Sequence, residues 1–374
     1  MSITSVLDRY SAASQTVEPA LCCPVDYDTA LLKILPAEII ERDYGCGDPS
    51  RYVHEGDVVL DLGSGGGKIC YMAAQLVGPE GRVIGVDMND DMLALARQYQ
   101  PEMARVIGSD RVAFHKGKIE DLALSMDAAE EWLAAHPIRS SADLLRYEAW
   151  AREQRQAAPM IPDSSVDLVV SNCVLNLVGK PQRAQMIAEI FRVLRPGGRV
   201  AISDIISDED VPAHLQSDPT LWSGCISGAF QEEEFLQAFL DAGFAAVAYD
   251  KWDAQPWQVV EGIEFRSATL VATKPAGTVC IDRGHAVIYK GPFASVADDE
   301  GHEFPRGARM AVCERTFAYL TTGPLADSFI GITPRELAPP QEYCAPMGTR
   351  RPAAVSQGGS HSGQSCAPES GSCC

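Results

Sequence analysis

Positive charge is in short supply in this chain. Its 374 residues carry 31 Lys and Arg against 51 Asp and Glu, a formal net charge of −20. Such a surface repels phosphates, which argues against nucleic acid and anionic membrane as partners. No apolar run reaches bilayer-spanning length, and the start, Met1-Ser2-Ile3-Thr4-Ser5-Val6-Leu7-Asp8, lacks the basic and then hydrophobic pattern of an export signal. A cytoplasmic location is expected, in which the 12 Cys stay mostly reduced. Histidine is scarce too: His285 and His302 fall in turn-like segments without metal-ligand spacing and read as solvated.

What is there is a glycine loop. The run Val58-Val59-Leu60-Asp61-Leu62-Gly63-Ser64-Gly65-Gly66-Gly67-Lys68 is a β-type stretch that breaks into glycine before a helical pattern from Ile69 to Leu76. A nicotinamide fingerprint needs G-x-G-x-x-G, but counting from Gly63 and Gly65 puts Lys68 at the third position. Asp61 sits where a diphosphate would be repelled and where the ammonium and sulfonium of S-adenosylmethionine would be attracted. A second apolar run, Arg82 to Asp87, ends in an acid at the spacing from which a carboxylate reaches ribose hydroxyls. Loop and acids together point to S-adenosylmethionine. The contacts expected for it are Asp61, Gly63, Ser64, Gly65, Asp87, Met88, Ile119, Glu120 and Asn172.

The strand and helix alternation continues, as a doubly wound, mostly parallel α/β sheet of class I methyltransferase type requires. Val112 to His115 and Val166 to Ser171 read as strands. Gln182 to Leu194 reads as an amphipathic helix closed by Pro196-Gly197-Gly198, and Arg199 to Ile205 as the next strand. Glu232 to Ala242 is helical, with Ala245 to Tyr249 and Thr269 to Thr273 as a closing hairpin. Four segments follow: an N-terminal one over 1–55, a methyltransferase domain over 56–275, a small, partly β domain over 276–346, and a tail over 347–374. The tail is rich in Ser, Gly, Pro and Gln and is expected to be disordered. An insertion at 123–160 with two helical patterns reads as a decoration more readily than as a lid.

Four cysteines lie near this framework: Cys46, Cys70, Cys173 and Cys225. A thiol so placed can be a soft ligand, a redox partner or core packing, and taken singly each reads best as packing. Their contexts decide otherwise. Asp43-Tyr44-Gly45-Cys46-Gly47, Cys70-Tyr71 before Gln75-Leu76-Val77-Gly78, Ser171-Asn172-Cys173-Val174-Leu175-Asn176-Leu177-Val178, Leu221-Trp222-Ser223-Gly224-Cys225 and the Cys373-Cys374 end together resemble the arsenite S-adenosylmethionine methyltransferases over nearly the whole chain.

That resemblance implies that Cys173 and Cys225 bind arsenic and that Cys46 and Cys70 are the redox-active pair. It also implies an external reductant of thioredoxin or glutathione type, and arsenite or its thiol conjugate as substrate. The chain departs from the family at Lys68-Ile69, usually Arg-Asp; at Gly224, often Glu; and in the length of the 123–160 insertion. Trivalent arsenic is thiophilic, and pyramidal thiolate coordination leaves its lone pair free to attack a sulfonium methyl without a base. Lowered thiol pKa values are expected to assist. Cys280, Cys313 and Cys344 read as packing or surface thiols, while Cys22-Cys23 and Cys366, Cys373 and Cys374 could capture soft metal ions. Two rivals remain: a methyltransferase for an organic or selenium-containing acceptor, and a metalloid buffer without turnover.

Overall fold

Alternating apolar patterns become alternating strands and helices in the computed structural model, which describes residues 3–16, 18, 25–277, 279–342 and 348–354. The Cys22-Cys23 pair, Cys344 and the terminal cysteines lie outside the described residues. Helices α1 (Ile3–Gln15), α2 (Thr29–Leu32) and α3 (Ala37–Glu41) precede β1 (Val58–Leu62), α4 (Lys68–Leu76), β2 (Arg82–Asp87), α5 (Asp90–Ile107) and β3 (Val112–Lys116). Then come α6 (Met126–Ala135), α7 (Ser141–Ala157), β4 (Val166–Asn172), α8 (Lys180–Val193) and β5 (Leu194–Ser207). Short α9 (Ala213–Gln216), α10 (Pro219–Ser223) and β6 (Phe230–Gln231) lead to α11 (Glu232–Asp241), β7 (Ala245–Trp252), β8 (Gln258–Val260) and β9 (Ile263–Thr273).

The main sheet runs β3-β2-β1-β4-β5-β9-β7. β3 to β5 are parallel, and β9 inserts antiparallel between β5 and β7. The expected closing hairpin is therefore wider than a direct turn, because β8 pairs with β9 before β9 enters the sheet. Alternation in β1 sends Leu60 and Leu62 to the core shared with α8 and α11, and Val59 to the core under α4 and α5. Fully burying such a side chain is worth about 1.5–3 kcal/mol, so two-sided burial fixes the register of the central strands. Chain order reverses between β1 and β4, so the crevice beyond their carboxyl ends is where an open α/β sheet binds ligands.

Helix ends follow the sequence. Asn89 caps α5 by accepting from the N–H groups of Asp91 and Met92, and Gly108 closes it at φ 93°. Ser140 caps α7 through Asp143 N–H. No helix among the described residues is long and apolar enough to cross a membrane.

The chain divides into Met1–Ala276 and Gly277–Cys374. In the second unit a three-stranded sheet pairs β11 (Ala286–Tyr289) with β14 (Arg309–Ala311) and β15 (Phe329–Ile332), around Val287, Phe304, Met310 and Leu320. The shorter strands β10 (Ile281–Asp282), β12 (Ser295–Ala297), β13 (Glu303–Pro305) and β16 (Gln341–Glu342) and helix α12 (Glu314–Thr321) complete it.

Two expectations are corrected in this unit. His285 is buried, not solvated: its ring packs at a tilt against Phe317 with centroids 4.4 Å apart, and burial lowers its pKa. The start of the expected disordered tail is ordered, because Arg350 bridges Met310 and Arg351 pairs with Asp282 at 2.7 Å. Residues 355–374 lie outside the described residues.

Candidate active site

Three elements end at one crevice. β1 delivers Gly63 to Gly66, β2 delivers Asp87 and Met88, and β4 delivers Asn172 and Cys173 to the walls of a cavity of about 710 Å³. Asp61, Gly63, Ser64, Gly65, Asp87, Met88, Ile119, Glu120 and Asn172, the residues expected to contact a cofactor, all line this one space. Gly63 has φ 72°, and a Cβ there would lie 2.5 Å from both Val174 methyls, so the turn admits only glycine. Asp87 accepts from Gly65 N–H and Asn89 N–H, each at 2.8 Å, which aims its carboxylate along the loop.

The lining fits S-adenosylmethionine on the structure's own terms. Ser64 Oγ is buried without a partner among the described residues, the Gly65 position is open, and two carboxylates face a cationic ligand. Burial pushes Asp61 up to about 7, with the hydrogen bond from Cys70 acting in the opposite direction, and burial also raises Asp87. No residue of the 123–160 insertion lines the cavity.

The thiols divide three to one. Cys46 and Cys173 are joined as a disulfide with Cα atoms 5.9 Å apart, and Cys225 Sγ donates to Cys173 O at 3.0 Å. These three share a cluster with Ile205, Leu215 and Phe265. Cys173 and Cys225 both adopt left-handed backbone, φ 60° and 61°, a conformation rare outside glycine that is held only where surroundings over-determine it.

Cys70 is elsewhere: Cys46, expected to act with Cys70, is bonded here to Cys173. The reason is helix direction: Cys70, in the first turn of α4, points under the glycine loop, where its thiol donates to Asp61 at 3.3 Å. Burial and the neighbouring Asp61 raise its pKa well above the usual thiol value, so the expected lowering does not hold at Cys70.

Two residues of this site, Tyr10 and Asp204, escape a motif search. Tyr10 Oη lies 3.9 Å from Cys225 Sγ and, with Tyr44 and Trp222, lines the cavity. Val6, Leu7 and Tyr10 face the cavity from one side of α1, and that helical spacing was the available signal. Asp204, an acid inside an apolar strand, has a carboxylate oxygen within 4.8 Å of the sulfurs of Cys46 and Cys173. It accepts from Asn176 Nδ2 and from Ile205 N–H, each at 2.8 Å.

Burial lifts Asp204 from 3.8 to about 7, against the lowering effect of the backbone N–H groups of Ile205 and Asn176. Between those two values the folded protein holds a proton that the unfolded chain has lost, so stability falls as pH rises through that window and the loss is complete above it. Asp204→Asn stays neutral throughout. Its melting temperature is expected to exceed the parent's at pH 8 by a margin that narrows steadily as the pH is lowered through 7 toward 4; parallel curves in scanning fluorimetry would contradict the assignment.

Comparison with known proteins follows this geometry. A methyltransferase domain family matches residues 53–144 and 140–243, and a domain of unknown function matches 276–361. The arsenite methyltransferase of Aquipseudomonas alcaligenes is 31% identical, with 88% of this chain and 89% of that protein aligned. The human arsenite methyltransferase is 30% identical over 78% of this chain and 72% of its own. The solved structure of an arsenic(III) S-adenosylmethionine methyltransferase from Chlamydomonas reinhardtii superposes with a TM-score of 0.56 at 30% identity, covering 84% of this chain and 95% of that one.

Sheet order, glycine loop and paired acids define a class I methyltransferase that uses S-adenosylmethionine as co-substrate. Within that class, the chain belongs to the arsenite methyltransferase family.

Proposed function

We propose that this protein moves the methyl group of S-adenosylmethionine onto trivalent arsenic held by the thiolates of Cys173 and Cys225, a detoxifying reaction on arsenite or its thiol conjugate. The observation that carries this reading is the gathering of the Cys46, Cys173 and Cys225 sulfurs at the carboxyl end of β4, with Cys173 itself in the cavity wall.

The co-substrate supplies a methyl group activated on sulfur. Asp87 and the Gly63 to Gly65 backbone hold its nucleoside end, and Asp61 and Ser64 face its charged end, which leaves Cys173 at the rim where an acceptor must sit. Two thiolates fix the arsenic with its lone pair unshared, so an As–C bond forms as the C–S bond breaks and no proton has to leave. Arsenic is thereby oxidised by two electrons.

Return to the trivalent state takes two electrons from a dithiol, which becomes a disulfide. Cys46 bonded to Cys173 supports Cys46 as the resolving thiol of that step. An external reductant of thioredoxin or glutathione type resets the pair.

Asp87→Ala removes one charged acceptor and is expected to weaken S-adenosylmethionine binding by about 1–3 kcal/mol, read by calorimetry. Unchanged affinity would contradict the placement. The reaction itself is tested with a labelled methyl donor, arsenite and reducing thiol, followed by product speciation. Labelled methylarsenicals support the reading. Label appearing only in an organic acceptor, or arsenite bound without methylated product, overturns it.

A further inference from the structure

Lys68 opens α4 directly after the glycine loop, and it is buried: only 4% of its side chain is exposed. A buried ammonium is costly unless paired, so its partners show what it is kept for. It pairs with Asp43 and lies over the Tyr27 ring, 3.5 Å from the centroid. Tyr27 Oη donates to Asp43 at 3.4 Å and accepts from Asn172 Nδ2 at 3.2 Å. Asn172 completes the line. Its Oδ1 accepts from the N–H groups of Cys46 at 2.8 Å and Gly47 at 3.0 Å, and its Nδ2 also donates to Gly47 O at 2.8 Å.

Each link has one direction. Burial and the Asp43 charge keep the Tyr27 phenol protonated, and the two backbone N–H groups fix which end of the Asn172 amide faces Cys46. The fit leaves no slack, since a Cβ on Gly45 would lie 2.0 Å from Asn172 Nδ2 and 2.7 Å from Tyr27 Oη.

We infer that Lys68 is a positioning residue for Cys46: by way of Asp43, Tyr27 and Asn172 it fixes the Cys46 segment against the end of β4, where Cys46 and Cys173 meet. One buried cation at the start of α4 thus ties the methyl-donor loop to the thiol centre. The consequence for turnover rests on the role proposed above for Cys46, but the inference is tested without arsenic.

The test is thiol–disulfide exchange. Two protein thiols, Cys46 and Cys173, and one oxidised glutathione give the protein disulfide and two reduced glutathiones, so atoms and electrons balance. The equilibrium constant measures how well the fold presents one sulfur to the other. Lys68→Met is expected to lower this constant about tenfold or more, measured by mass spectrometry of the full-length chain in glutathione buffers, as expected when a buried polar line loses its charged end. Lys68→Arg, which restores a cation, is expected to stay within about threefold of the parent.

Tyr27→Phe keeps the ring and removes the hydroxyl link, and is expected to lower the constant severalfold; it serves if Lys68→Met does not fold. A constant unchanged in Lys68→Met, or in Tyr27→Phe where only that variant folds, overturns the inference, as does Lys68→Arg failing as badly as Lys68→Met. Failure of arsenite methylation in the parent with these shifts intact would overturn the arsenic reading and leave this one standing.

Discussion

Cys225→Ser and Cys173→Ser are each expected to lower arsenite methylation by about two to three orders of magnitude, because a hard, protonated hydroxyl replaces a soft thiolate on a thiophilic atom. Both positions bury their sulfur and hold left-handed backbone. Serine fits the same space, so under reducing conditions, where the Cys46–Cys173 bond is open in the parent as well, stability is expected to change little and the loss to appear in turnover. Cys46→Ser should lose arsenite turnover yet keep part of the activity on an already methylated trivalent arsenical, which demands fewer thiolates. Cys70→Ser should be mild, since a serine hydroxyl can replace the thiol as donor to Asp61. Cys313→Ser is the control. Its sulfur caps α12 in the second unit, and methylation by that variant should equal the parent's. Rates at the parent level in Cys173→Ser and Cys225→Ser would reduce these thiols to packing.

Gly63→Ala is expected to weaken S-adenosylmethionine binding by about a hundredfold or more. Left-handed backbone costs an L-residue about 1–2 kcal/mol, roughly tenfold in affinity if the strain is released by moving the loop. The rest comes from collision. The added methyl meets both γ-carbons of Val174, whose neighbour Cys173 is pinned by its N–H bond to Ser203 O, so the loop must give way. Gly65→Ala isolates the first contribution, because φ is 50° there and no atom lies within 4 Å of the added carbon. About tenfold weakening is expected for it. Equal affinities for Gly63→Ala and the parent by calorimetry would show that the ligand does not approach this backbone.

The parallel strands were legible because each is buried on both faces: Val58–Leu62 and Val166–Asn172 are nearly continuous apolar runs that no amphipathic helix would carry. The glycine loop was legible from local rules alone, as Gly63, Gly65 and Gly67 take positive φ where the turn demands it. What stayed hidden was tertiary. No spacing tells that Cys70 turns under the loop to Asp61 while Cys46, 127 residues before Cys173, reaches over β4 to meet it. Asp204 reads as an interruption of a strand until the strand is placed beside the thiols. His285 read as solvated because its neighbours look like turn residues, whereas Phe317, the ring that packs against it, comes from another element. Tail docking at Arg350 and Arg351 was missed for the same reason, since the unpaired edge of β14 that receives them is not visible in the tail's composition.

Arsenic-edge X-ray absorption on the reduced enzyme, loaded with arsenite and demethylated donor so that no turnover occurs, tests the central claim most directly. The account predicts arsenic coordinated by protein sulfur, with one sulfur fewer in Cys225→Ser and one fewer in Cys173→Ser. Oxygen-coordinated arsenic in the parent, or a sulfur count unchanged in both variants, would contradict it.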